Sequence, residues 1–168
     1  MIYRTKTYVA GAWEEDYDAI MQLYKWKESN RWVLDFVDAH DYKQARDSSN
    51  PCNIKRSLQD RLDHSKTFVL VVGPKTRTVR KGECSYCSHY GYGWCHIGGT
   101  VSHDSYIDYE CKKAIRDGLK IIVLYNSVYV HKDWCPDCIK DCCDVEHISM
   151  KKNSDEWDYF SVKHALLS

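Results

Sequence analysis

Proline is scarce in this sequence, at Pro 3, and so is phenylalanine, at Phe 3. So little proline excludes a collagen-like or polyproline rod, and 43% hydrophobic residues exclude a disordered chain. An excess of either charge is missing too: Lys+Arg 24 and Asp+Glu 24 leave a formal net charge of zero. No overall field therefore gathers nucleic acid or an anionic membrane surface. The longest apolar runs, Phe68 to Val72 and Ile121 to Tyr125, fall far short of the roughly 20 residues that span a bilayer. The opening Met-Ile-Tyr-Arg-Thr-Lys lacks the basic-then-apolar order of a secretory signal. The expectation is a soluble, cytoplasmic globule of one domain, spanning residues 1–168. Phosphate-loop and serine-hydrolase motifs are absent, and Gly91-Tyr-Gly93 has no strand before it to make a dinucleotide fingerprint.

What the chain has in quantity is cysteine, Cys 9, with Tyr 13 and Trp 6. An odd cysteine count without an export signal argues for reduced thiols or a metal rather than a disulfide framework. Cys84-Ser-Tyr-Cys87 and Cys135-Pro-Asp-Cys138 are both C-x-x-C pairs, and four thiolates suit structural zinc. Cys95, His89 and His96 are a local alternative to the second pair, and free, partly buried thiols are a third reading. The metal question stays open at this level.

Hydrophobic periodicity lays out the fold. Lys6 to Ala12, Arg31 to Val37, Thr67 to Gly73, Lys120 to Tyr125 and His147 to Met150 read as strands. Between them, Glu14 to Asn30, a segment opening at Asn50-Pro51, Asp104 to Asp117 and Ser154 to Ala165 read as helices. Thr67 to Gly73 and Lys120 to Tyr125 are nearly continuous apolar runs, the type buried on both faces of a parallel sheet. Strands alternating with helices predict right-handed βαβ units. The predicted fold is therefore α/β, a flavodoxin-like doubly wound sheet of five mainly parallel strands. A Cys-, Tyr- and Gly-rich insertion interrupts it at about residues 82–103. In such sheets ligands bind at the carboxyl ends of the strands.

Two groups near those ends carry candidate chemistry. Glu110 follows Ile107 by three residues and precedes Ala114 by four, so it lies at the margin of the buried helix face, with Tyr106 one turn before it. A half-desolvated carboxylate there suits ribose hydroxyls or an oxocarbenium-like centre, although a solvated helical glutamate fits the same spacing. Asp38, His40 and Asp41, with Arg46 to Ser49, crowd polar groups onto one loop at the crevice edge. A solvated turn with a serine cap explains one or two of these residues but not all.

Taken in order, Asp38-Ala-His-Asp41, Ala45-Arg46-Asp47-Ser48-Ser49, the Ile54-Lys55 to Leu58 to Arg61-Leu62 spacing, Phe68 to Gly73, Tyr109-Glu110 and Lys120 to Val123 form a pattern. That ordered set resembles the TIR-like proteins of Thoeris antiphage defence. The resemblance implies a TIR fold and cleavage of the nicotinamide–ribose bond of NAD+, with no added cofactor. It further implies an ADP-ribose-derived signal, cyclic or conjugated, that reaches a downstream effector, a phage-derived trigger, and self-association. By resemblance, Glu110 matches the catalytic glutamate of the third helix, and Tyr106 stands where many such enzymes carry tryptophan. Gly11, Ala12 and Trp13, and Asp38 with His40, match the loops that border the nucleotide. A non-catalytic TIR-like scaffold and a nucleoside deoxyribosyltransferase-like enzyme are the rival readings.

Overall fold

The computed structural model describes residues 4–32, 34–39, 50–97 and 101–168. Strand β1 (Lys6–Gly11) leads into helix α1 (Tyr17–Glu28). Helix α2 (Pro51–Asp63) then turns back into β2 (Ser65–Val72). Next come a small hairpin, β3 (Tyr90–Gly91) and β4 (Trp94–Cys95), and helix α3 (Tyr106–Arg116). The chain closes with β5 (Lys120–Tyr125), a short α4 (Asp137–Lys140), β6 (Val145–Ser149) and α5 (Tyr159–Leu167).

The main sheet runs β1-β2-β5-β6, and every pairing in it is parallel. Its middle strands divide their side chains by alternation. Phe68, Leu70, Val72, Ile121, Val123 and Tyr125 face one layer, which is shared with Leu58 and Leu62 of α2 and Ile107, Cys111 and Ala114 of α3. Val69, Val71, Ile122 and Leu124 face the other, shared with Ile20 and Leu23 of α1 and Val162 of α5. Burial on both faces is what the continuous apolar runs encode. Among the described residues no helix is long and apolar enough to cross a membrane.

One expected strand is missing from the ladder. The segment from Leu34 to Asp38 lies beside β1, yet among the described residues it joins the sheet through a single parallel bridge, Thr7 to Asp38. The Thr7 N–H donates to the Val37 carbonyl at 2.7 Å. Leu34 is fully buried, but Asp35 and Val37 face solvent, and a half-wetted edge segment gains little from extending its pairing. The described sheet therefore has four strands, not five. Helix α5 also starts later than expected. The Lys151–Trp157 bridge and the Lys152 N–H to Glu156 carbonyl bond fold residues 151–157 into a turn first.

Helix ends follow local chemistry. Asn50 caps α2 by accepting from the Asn53 N–H at 3.3 Å, with Pro51 in the first turn. The predicted serine caps, Ser48 and Ser49, lie outside the described residues. Ser105 caps α3 from the Asp108 N–H at 3.1 Å. At the other end Gly118 takes φ +67, while its N–H bonds to the Ile115 carbonyl and the Leu119 N–H to that of Ala114. That is a Schellman stop, and the positive φ requires glycine there.

Candidate active site

A cleft of about 630 Å³ opens at the carboxyl ends of β1 and β2, within the usual range for small-molecule sites. Its walls come from four places. Gly11 to Glu15 stand at and just after the end of β1, and Lys75 with Thr78 to Lys81 follows β2. Ile54, Leu58 and Arg61 come from α2, and Tyr106, Ile107 and Glu110 from α3. Tyr8 of β1 is also part of the lining. Short loops after the strands leave the sheet's edge open, and α2 and α3 flank it.

Glu110 is 7% exposed, so it is more deeply buried than a marginal position on the helix suggests. Loss of water pushes its carboxyl up to about 7, against hydrogen bonding from the Tyr8 hydroxyl and attraction from the Arg61 guanidinium, which pull the other way. Tyr8, itself fully enclosed, is held far above the ordinary phenol range by burial and then by the neighbouring Glu110 charge. Arg61 is 5% exposed, and its buried Nε–H has no hydrogen-bond partner among the described residues. A buried donor left unsatisfied is costly, and in a cleft it is a group kept ready for an acceptor from outside.

Tyr106 stands one turn before Glu110 and is half-buried, its phenol raised by burial. Gly82, at φ +98, packs on its ring so closely that an added Cβ would meet it at 2.5 Å. Trp13 lies at the mouth, 41% exposed, its ring 6.1 Å from that of Tyr24. Above it Lys81 and Glu14 form an exposed pair at 3.5 Å.

Five of the seven residues singled out in the sequence, Gly11, Ala12, Trp13, Tyr106 and Glu110, line this one cleft. Asp38 is buried, bridged to Thr7 at the sheet edge rather than set in the lining. His40 lies outside the described residues. Sequence reasoning missed Tyr8 and Arg61 as partners of the carboxylate. Arg61 left a signal: Ile54, Leu58 and Arg61 recur at one helical face, so an arginine occupies a position where an apolar residue belongs.

The two C-x-x-C pairs keep different company. Cys84 and Cys87 border a small void together with Cys52 and Cys95. Cys138, by contrast, accepts a hydrogen bond from Cys111 of α3, which holds its thiol below the ordinary value. Burial pushes Cys135 up to about 11.

Residues 8–81 match the family model described as the TIR-like domain of the Thoeris protein ThsB. The chain is ThsB-like over this span. The parallel sheet covered on both faces is the flavodoxin-like architecture that a TIR-like domain requires. The match supports a role in antiphage defence. It carries β1 from Tyr8 onward, α1, α2 and β2, and with them the Gly11 to Glu15 loop and Arg61. It ends at Lys81, one residue before the Gly82 that abuts Tyr106, and Glu110 lies beyond it. No curated protein matches the chain.

Proposed function

We propose that this ThsB-like chain cleaves the nicotinamide–ribose bond of NAD+ and releases an ADP-ribose-derived signal, cyclic or conjugated, in antiphage defence. The observation that carries this reading is the buried Glu110 carboxyl, set in a cleft of dinucleotide size between Tyr8 and Arg61.

Nicotinamide leaves as a neutral molecule from a cationic pyridinium, so its departure needs no general acid. The remaining demand is stabilisation of positive charge at the anomeric carbon, which one carboxylate meets. Ionised Glu110 supplies that charge and accepts from ribose hydroxyls. Tyr8 fixes the carboxylate by donating to it, and Arg61 favours its ionised form. Burial keeps the carboxylate poorly solvated, so its field at the sugar is stronger than water would allow. Lys75, Arg80 and Lys81 on the far wall are matched in charge to a pyrophosphate. Trp13 and Tyr106 supply ring faces for stacking on a base. The signal would pass to a downstream effector. Catalysis would await a phage-derived trigger and self-association.

The test is incubation of purified protein with NAD+, with and without lysate from phage-infected cells, and assay of nicotinamide and nucleotide products by mass spectrometry. Nicotinamide release that vanishes in a folded Glu110→Gln variant supports the reading. Release unchanged in that variant removes Glu110 from the chemistry. Base exchange on deoxynucleosides without NAD+ turnover would assign the cleft to a different reaction.

A further inference from the structure

The insertion between β2 and α3 is built around sulfur. Cys84 and Cys87 bracket a single 3-10 turn, in which the Cys87 N–H bonds to the Cys84 carbonyl at 2.9 Å. The chain then makes the β3–β4 hairpin through Tyr92 and Gly93, both at positive φ, and Cys95 sits on the returning strand. Across from them Cys52 occupies the first turn of α2. These four cysteines, from three separate pieces of chain, line one void of about 10 Å³, close to a single water-sized body.

Two donors of the surroundings stand beside this group of sulfurs. The backbone N–H of Ser102 donates to Cys84 Sγ at 3.1 Å. The ammonium of Lys55, a 6% exposed residue, reaches the same spot, bonded to Ser102 Oγ at 3.1 Å and to the Asp104 carbonyl at 2.7 Å. Burial is the largest influence on this ammonium and lowers its pKa, while the nearby Cys84 sulfur and the Asp104 and Glu83 carboxylates oppose it. Cys52, in the first turn of α2, donates from Sγ to Asn50 Oδ1 at 3.0 Å.

We propose that Cys52, Cys84, Cys87 and Cys95 form a structural site for one divalent zinc ion, closing the insertion onto the start of α2. The C-x-x-C turn and the hairpin are the two halves of a knuckle-like arrangement, and Cys52 completes a tetrahedral set. Each sulfur loses a proton to solvent as it binds, and no atom changes oxidation state. Among the described residues no three donors already stand in metal-holding geometry. Binding would therefore draw the four thiols inward from the rim of the void. The site also explains why so short a hairpin persists. Two strands of two residues each are far below independent stability, and small structures of this size depend on a staple. Because Gly82 of the same insertion packs on Tyr106, the metal would brace one wall of the candidate active site.

The proposal does not depend on NAD+ cleavage. Full-length protein, produced with zinc in the medium and purified without chelators, is assayed for metal by inductively coupled plasma mass spectrometry. The expected result is close to one zinc per chain, with Cys87→Ser and Cys95→Ser reducing it at least tenfold. Cys142→Ser and Cys143→Ser should leave it unchanged. If the first two variants do not fold, replacing zinc by Co2+ in the wild-type chain gives the independent reading. Intense visible absorption together with sulfur-to-cobalt charge transfer identifies a tetrahedral thiolate site. Three outcomes overturn the proposal: zinc-free folded protein with nine titratable thiols, disulfides among these four cysteines, or zinc that is lost only when Cys135 or Cys138 is replaced.

Discussion

Glu110→Gln should stabilise the protein, and do so only above mildly acidic pH. In the unfolded chain a glutamate titrates near 4.5, whereas in the fold burial pushes Glu110 up to about 7. Below about 4.5 both states are protonated and the residue costs nothing electrostatically. Between the two values the folded state holds a proton that the unfolded state has released, so stability falls as pH rises. Above about 7 the cost is complete. A gap from 4.5 to about 7 amounts to about 3 kcal/mol at 1.36 kcal/mol per pH unit. Glutamine has nearly the same shape, still accepts from Tyr8 through its amide oxygen, and never ionises. The stability difference between variant and wild type should thus grow by about 3 kcal/mol from pH 4 to pH 8. For a domain of this size that is roughly 6–12 °C in Tm. Urea denaturation at intervals between those pH values measures it, and titration of other groups cancels in the difference. Any constant offset from loss of the Arg61 partner cancels as well. Parallel curves for the two proteins would refute the argument, because Glu110 would then titrate as an ordinary carboxylate.

Tyr8→Phe removes a donor that favours the ionised carboxylate, so the Glu110 value should rise further. The acidic limb of the pH–rate profile for NAD+ cleavage should move to higher pH, with kcat at neutral pH reduced and KM changed less. Gly82→Ala puts a Cβ within 2.5 Å of the Tyr106 ring at φ +98, so it should cost about 1–3 kcal/mol in urea denaturation and raise KM by disturbing the cleft wall. Lys113 is nearly enclosed, with Nζ 2.6 Å from Asp63 and 2.7 Å from Asp117. Lys113→Met should destabilise by about 2 kcal/mol, since two carboxylates lose a shared buried cation, and high salt should recover little of it.

Much of this architecture is written locally in the chain. Val69 to Val72 and Ile121 to Leu124 are apolar at successive positions, a pattern that only a strand covered on both faces satisfies, and both are central strands. Asn50-Pro51 and Gly118 mark helix ends because a side-chain acceptor, a fixed φ and a positive φ each act within a turn of the chain. The segment after α1 misleads for the opposite reason. Its β-prone residues satisfy propensity, but whether a strand forms there depends on what covers it, and among its described residues Asp35 and Val37 face solvent. Glu110 shows the same limit at the candidate site. Helical spacing locates its Cα near the margin of a buried face, and nothing in that spacing says how dry the carboxyl becomes. Dryness is set by Tyr8, from the first strand, and by Arg61, from the helix before the second, meeting α3 across the cleft. The cysteines make the point by their grouping. Motif spacing invites pairing the two C-x-x-C units with each other, but the sheet order sends Cys135 and Cys138 to the loop after β5, against Cys111. Cys84 and Cys87 instead border one void with Cys52 and Cys95. Which thiols share a neighbourhood is a property of strand order, so the chemistry available to them is fixed only once the sheet has assembled.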